Sequence, residues 1–160
     1  MSSASGTATA AHTDDQPVIG WPKITATITG DTDGTLVING VVHPCWAPRI
    51  DVLRTGMIAR CTATAITLRR PVRLDIAEGD QAWSVAVRPD GIVQELDKHG
   101  RIIGTDADLL PVRGGCRACG ESTPVTARHC SGCGTAEPLG VLAAEPYATT
   151  TRTDRRTDRS

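Results

Sequence analysis

Phenylalanine is missing altogether from this chain of 160 residues. The other aromatics are few: Trp21, Trp46, Trp83 and Tyr147. The core must therefore be assembled from Val, Ile, Leu and Ala, and no row of rings is present to stack nucleic-acid bases. Lysine is almost as scarce, with Lys23 and Lys98 set among arginines. Together with abundant Ala, Thr, Gly and Asp, that bias points to a high-GC genome such as that of an actinobacterium or one of its phages. It is a statement about codon usage, not function. No run of eighteen apolar residues occurs, so nothing reads as a membrane-spanning helix. Residues 1–16 lack the basic and apolar regions of a secretory signal. The formal charge of −1 creates no overall field toward nucleic acid or an acidic membrane. The expected location is the cytoplasm, bacterial or, for a phage-encoded chain, that of the host.

The motifs of catalysis are lacking too. There is no G-x-S-x-G elbow and no glycine-rich loop opening a helix to cradle phosphate. The four histidines, at positions 12, 43, 99 and 129, are scattered. His43 is followed by Pro44 and Cys45 with no Glu, which excludes the H-x-E and P-C-x-x-C pattern of zinc deaminases. The expectation is a protein that is not an enzyme and takes no small-molecule substrate.

One stretch specifies a chemistry. Cys116-Arg117-Ala118-Cys119-Gly120 is followed, ten residues after Cys119, by Cys130-Ser131-Gly132-Cys133-Gly134. A two-residue gap lets two thiolates on one tight turn reach the same ion. Four thiolates close a tetrahedron around one Zn²⁺ and leave no position for water, so the site reads as structural. Gly120 and Gly134 suit a backbone that bends to positive φ after each pair. Ser122-Thr123 and Pro124 read as the bend of a hairpin returning the second knuckle to the first. A redox C-x-x-C requires a single pair in a βαβ unit. A pair of disulfides and a four-thiolate iron–sulfur site remain as alternatives. A metal motif that takes four of six cysteines fits a reducing compartment.

Residues 116–134 resemble the minimal zinc-ribbon module appended to many bacterial and archaeal proteins. The likeness rests on both C-x-x-C-G knuckles, the ten-residue gap and Ala127-Arg128-His129-Cys130. His129 departs from the Phe more usual there. The resemblance implies a zinc-bound fold and a role in contacting protein or nucleic acid. Arg117, Arg128 and His129 are the candidate partner-binding residues.

The preceding chain reads as short strands. Asn39-Gly40 between Thr35–Ile38 and Val41–His43 calls for a type I′ hairpin, ended by Pro44. Lys23–Thr29, Val72–Ile76, Ala82–Val87, Ile92–Leu96 and Arg101–Ile103 are further strands. Gly56–Arg69 is read as one bent strand or two short ones, because Pro, Gly or β-branched residues interrupt every window long enough for a helix. About eight strands with turns every ten residues predict an all-β barrel or sandwich. The order from Gly34 to Leu68 faintly resembles OB-type barrels. Residues 86–112 loosely resemble half of a biotinyl or lipoyl unit, but Arg88-Pro89-Asp90-Gly91 lacks the carrier lysine, which excludes that role.

The expected organisation is a disordered tail over 1–17, an all-β domain over 18–112, a zinc ribbon over 113–139, and a short packed segment leading into a second disordered tail over 140–160. Arg49–Arg73 sets six arginines against one aspartate, and Asp75–Asp108 sets eight acids against three bases. Arg60, Arg69, Arg70 and Arg73 are candidate nucleic-acid contacts, against the simpler reading of solvated faces or cross-strand pairs. Cys45 and Cys61 read as small core hydrophobes. Three functions follow as expectations: an adaptor whose ribbon docks a protein partner, a nucleic-acid-binding or transcription-associated protein, and an accessory protein of a phage or mobile element.

Overall fold

The computed structural model describes residues 17–104 and 109–142. Apart from Pro17, both expected tails lie outside the described residues. Among the described residues, eight strands and one helix occur in the order β1 (Ile24–Ile28), β2 (Asp33–Ile38), β3 (Val41–Trp46), α1 (Ile50–Leu68), β4 (Val72–Glu78), β5 (Gln81–Val87), β6 (Val93–Leu96), β7 (Arg113–Gly115) and β8 (Ser122–Pro124). Six of the strands form one sheet in the order β3-β2-β1-β4-β5-β6, and β7 pairs with β8 separately.

Two three-stranded meanders meet at the centre of the large sheet. Every neighbouring pair is antiparallel except β1 and β4, which run parallel. A parallel pair requires a crossover connection, and α1 lies in the one that leads from β3 to β4. The Asn39-Gly40 turn forms as expected, with φ of 49° and 84°. It places Ile38 opposite Val41. Registers align Ile38, Ile24, Leu74 and Val85 in one row, and Leu36, Ala26 and Ile76 in the next. These rows face α1 and build the main core with Leu53, Met57, Cys61 and Ala65. A smaller cluster of Val18, Ala86, Leu96 and Ile102 covers part of the opposite face.

The helix corrects the all-β reading. Gly56–Arg69 is not a strand but most of a nineteen-residue helix. The hydrophobic stripe at Leu53, Met57, Cys61 and Ala65 has the i+4 spacing of one helix face and is almost wholly removed from water. Four threonines, residues that disfavour helices, satisfy their hydroxyls within the helix. Thr55, Thr62, Thr64 and Thr67 each donate to the carbonyl four residues earlier. The sequence marks of the ends are missing: Arg49 at the N-cap makes no side-chain cap bond, and Arg69 rather than Gly takes the left-handed position at the C-cap.

The sheet also corrects the barrel or sandwich. It is open, with β3 and β6 at its edges. Pro44 does not end the hairpin. It sits within the edge strand β3, where a missing N–H is tolerated. Arg101–Ile103 contributes a single bridge, Leu96 to Ile102. Ser122–Pro124 is strand β8 rather than a bend.

Candidate metal centre

The two knuckles are built alike. In the first, Gly120 N–H donates to Cys116 O at 2.8 Å, and Cys116 N–H to Glu121 O at 2.9 Å. In the second, Gly134 N–H donates to Cys130 O at 2.8 Å, and Cys130 N–H to Thr135 O at 2.9 Å. Each leading sulfur also accepts a backbone N–H two residues on: Ala118 on Cys116 at 3.4 Å, Gly132 on Cys130 at 3.3 Å. Both turns close through a glycine of positive φ, 82° at Gly120 and 79° at Gly134. An L side chain rarely adopts that conformation, which is why a glycine follows each cysteine pair.

The short β7–β8 ladder joins the arms of the first knuckle, and the Arg117 N–H ties that knuckle to Pro138 O beyond the second. The four sulfurs of Cys116, Cys119, Cys130 and Cys133 all lie within 4.8 Å of one another. Cys116 and Cys133 are 3.8 Å apart, and Cys119 and Cys130 are 3.5 Å apart. These are not disulfides, which bond at about 2.05 Å. A tetrahedron of sulfurs about 2.3 Å from a central ion has edges of about 3.8 Å. The cluster is therefore able to hold a metal ion with four thiolates. The leading cysteine of each knuckle is buried and the trailing one exposed.

No protein-family model matches the chain, and neither the curated proteins nor the solved structures contain a match to it. The reading of this centre rests on its own geometry.

Local charge already prepares the sulfurs unequally. The N–H groups of Cys133 and Gly132 pull the Cys130 thiol down to about 6. Thr135, through its hydroxyl and its N–H, lowers Cys133. At Cys119 the N–H of Glu121 favours the thiolate, but the thiols of Cys130, Cys133 and Cys116 outweigh it and push the group up to about 12. Cys45 and Cys61 lie elsewhere, in the main core. Burial raises their thiols to about 11 and about 12, as for inert core residues.

The remaining candidate residues do not gather at one place. Arg117 turns inward across the module. Its Nε donates to Glu137 O at 2.8 Å, its Nη2 to Ala136 O at 2.7 Å, and its backbone N–H to Pro138 O at 2.7 Å. Arg128 and His129 are exposed on the same module. Replacing Arg117 with Ala removes two charge-assisted bonds, each worth about 1.5–3 kcal/mol. The substitution is expected to lower the melting temperature of the module and weaken its metal affinity, as followed by circular dichroism and chelator competition.

The six arginines of Arg49–Arg73 form no single face. Arg49 pairs with Asp51, and Arg54 with Glu78. Arg60 bonds Thr64 on α1, on the side turned toward the metal module. Arg70 reaches the carbonyls of Trp21 and Pro71. Arg73 lies on the sheet face away from α1, bound to Asp75, whose carboxylate also accepts from Ser84. Arg69 caps α1 and is exposed. Sequence proximity placed these charges in one run, but a helix followed by a strand sends them to different sides.

The sequence led to the expectation of a short packed segment after the ribbon, but did not single out Gly56, against which Leu139 and Val141 of that segment seat the metal module on α1. The i+4 stripe of α1 was the available signal, since a buried glycine off that stripe marks a second contact face. A groove of about 170 Å³ on the sheet side of α1 is lined by residues such as Met57, Ile76, Trp83 and Val93. Its one charged lining residue, Arg54, is bound to Glu78.

Proposed function

We propose that the chain is a non-catalytic zinc-binding adaptor, in which a four-thiolate zinc ribbon is fixed to a helix-and-sheet body and presents a surface to a protein partner. The observation that carries this reading is the closed sulfur set: four thiolates at tetrahedral spacing fill every position of a zinc ion, leaving none for substrate or water. Thiolate ligands and tetrahedral spacing favour zinc, and the knuckles match the ribbon pattern; a cytoplasmic, reducing setting keeps all six cysteines free. The exposed Arg128 and His129 supply the contact surface, and the dispersal of the Arg49–Arg73 run lends little to the nucleic-acid alternative.

The test is metal analysis of the purified chain. One zinc per chain is expected, lost in a Cys116→Ser, Cys119→Ser double variant. Iron with visible charge-transfer bands, or no metal, would overturn the zinc assignment. The adaptor role is tested by cross-linking through position 128: a defined partner captured by the zinc-loaded chain and not by the chelated one supports it. Salt-sensitive binding to DNA or RNA that is lost on Arg69→Glu, Arg70→Glu would favour the alternative instead.

Zinc affinity is expected to fall as pH falls, because each ligand binds as a thiolate. The thiolate of Cys130 is favoured over its ordinary value of 9 by a shift to about 6. That thiolate takes up its proton as pH drops through 6. Below that point zinc must displace one more proton, so the slope of log affinity against pH steepens by about one. A titration of competing chelator between pH 5 and 8 measures it.

A further inference from the structure

The five residues Pro138–Leu142 leave the second knuckle and tie three parts of the molecule together. At their start, Pro138 O accepts the backbone N–H of Arg117 at 2.7 Å, next to a cysteine of the first knuckle. They then cross α1. Gly56 is buried there, and a Cβ on it would lie 2.6 Å from Leu139 O and would collide with both methyl groups of Val141. Beside this crossing, a Cβ on Gly114 would meet the Thr55 methyl at 2.8 Å and a Leu139 methyl at 3.3 Å. The segment ends on the edge of the large sheet. Val141 O accepts the N–H of Trp46 at 2.8 Å, and Leu142 bridges antiparallel to Cys45. Leu139 and Val141 are 7% and 2% exposed, so the crossing is closely packed.

Pro138–Leu142 is therefore a strap, and its near end is set by the distance between the knuckles. Arg117, on the first knuckle, holds the carbonyls of residues 136–138 that follow the second. An ion joining the four sulfurs fixes that distance; without one, nothing covalent does.

We propose that metal occupancy latches this strap, and so controls whether the edge of β3 and the outer side of α1 around Gly56 are covered. The inference rests on the metal reading above. Coupling between two sites is reciprocal: the factor by which the metal strengthens strap docking is the factor by which strap docking strengthens metal binding. Disturbing the strap at Gly56, on a helix that provides no cysteine ligand, must weaken the metal. Couplings of this kind usually span about 5- to 150-fold. When the strap lifts, the Trp46 N–H loses its acceptor, and an uncovered strand edge becomes open to pairing with another chain.

The experiment compares hydrogen exchange and Zn²⁺ affinity in the full chain. With zinc, the Trp46 amide is expected to exchange slowly. After chelation it should exchange at least tenfold faster, while amides of the central strands, such as Leu74, hold their protection. Gly56→Ala is expected to lower zinc affinity on the order of tenfold by chelator competition. Alanine favours helix over glycine, so that loss would not come from α1. Val141→Ala keeps all four cysteines and relieves two of the three close contacts that a Gly56→Ala methyl meets. Combining the two should recover part of the Gly56→Ala loss. Zinc bound with unchanged Trp46 exchange, or with wild-type affinity in Gly56→Ala, overturns the latch and leaves the metal reading standing. A wild-type chain that binds no zinc overturns both.

Discussion

Replacing Cys130 with serine is expected to abolish tight zinc binding and to unfold residues 113–139 while the six-stranded sheet persists. The module is small. Its regular structure is two three-residue strands, β7 and β8, and its buried apolar side chains beyond the cysteines are few, chiefly Val125 and Leu139. So little apolar surface does not offset the cost of ordering the chain, which is about 1–2 kcal/mol per residue for the backbone. In the proposed zinc-bound chain the metal meets the deficit, since ion binding to such a module is itself folding free energy, about 10–16 kcal/mol for structural zinc sites at neutral pH. Cys130 is the most consequential of the four to lose. It is buried, and in the folded knuckle its sulfur accepts the N–H of Gly132, which with the Cys133 N–H favours the thiolate that zinc binds. A hydroxyl there offers zinc a poor ligand. Zinc content near zero, amide signals of residues 113–139 collapsed and those of β1 and β4 intact would bear this out. A folded, metal-free module would show that packing alone suffices.

The four-cysteine cluster was legible because cysteine spacing encodes it locally. Ligands, gap and glycines fall within nineteen residues, and each is fixed by the geometry of one turn. The hairpin at Asn39-Gly40 was legible for the same reason, since a two-residue turn needs positive φ at both positions and states that need in its residue types. The helix was not. Its identity depends on a stripe, Leu53, Met57, Cys61 and Ala65, whose members are of unequal size and include a cysteine and an alanine. Threonine lowers helix propensity, but tertiary burial of one face overrode it, and hydroxyl bonds to preceding carbonyls removed the polar cost. The charged run failed as a guide for the opposite reason. Charges carry no period of their own, so once α1 and β4 were set, six neighbouring arginines were distributed by the backbone.

Leu53→Ala is expected to destabilise the whole body by about 2–5 kcal/mol, the usual cost of a cavity left by a buried leucine. That is a large part of the roughly 5–15 kcal/mol that holds a domain of this size together. The expectation follows from the layering. The helix α1 covers the inner face of the sheet, and Leu53 is fully buried in the cluster that also contains Ile24, Leu36 and Leu74. Ile66, 39% exposed on the far side of α1, supplies the control: its truncation removes a similar volume from a site that water already reaches, and should cost under about 1 kcal/mol. The two sides of α1 also separate the two sources of stability. Leu53→Ala should lower the denaturation midpoint of sheet and module together, because the module sits on the helix. Chelation should melt the module at a midpoint of its own and leave the sheet transition nearly where it was. Urea titrations followed at Trp83, on the sheet, and by thiol reactivity at Cys119, in the module, distinguish the two. Coincident transitions in the chelated chain would mean that metal supports the sheet as well, which the position of most of its core, between α1 and the sheet, argues against.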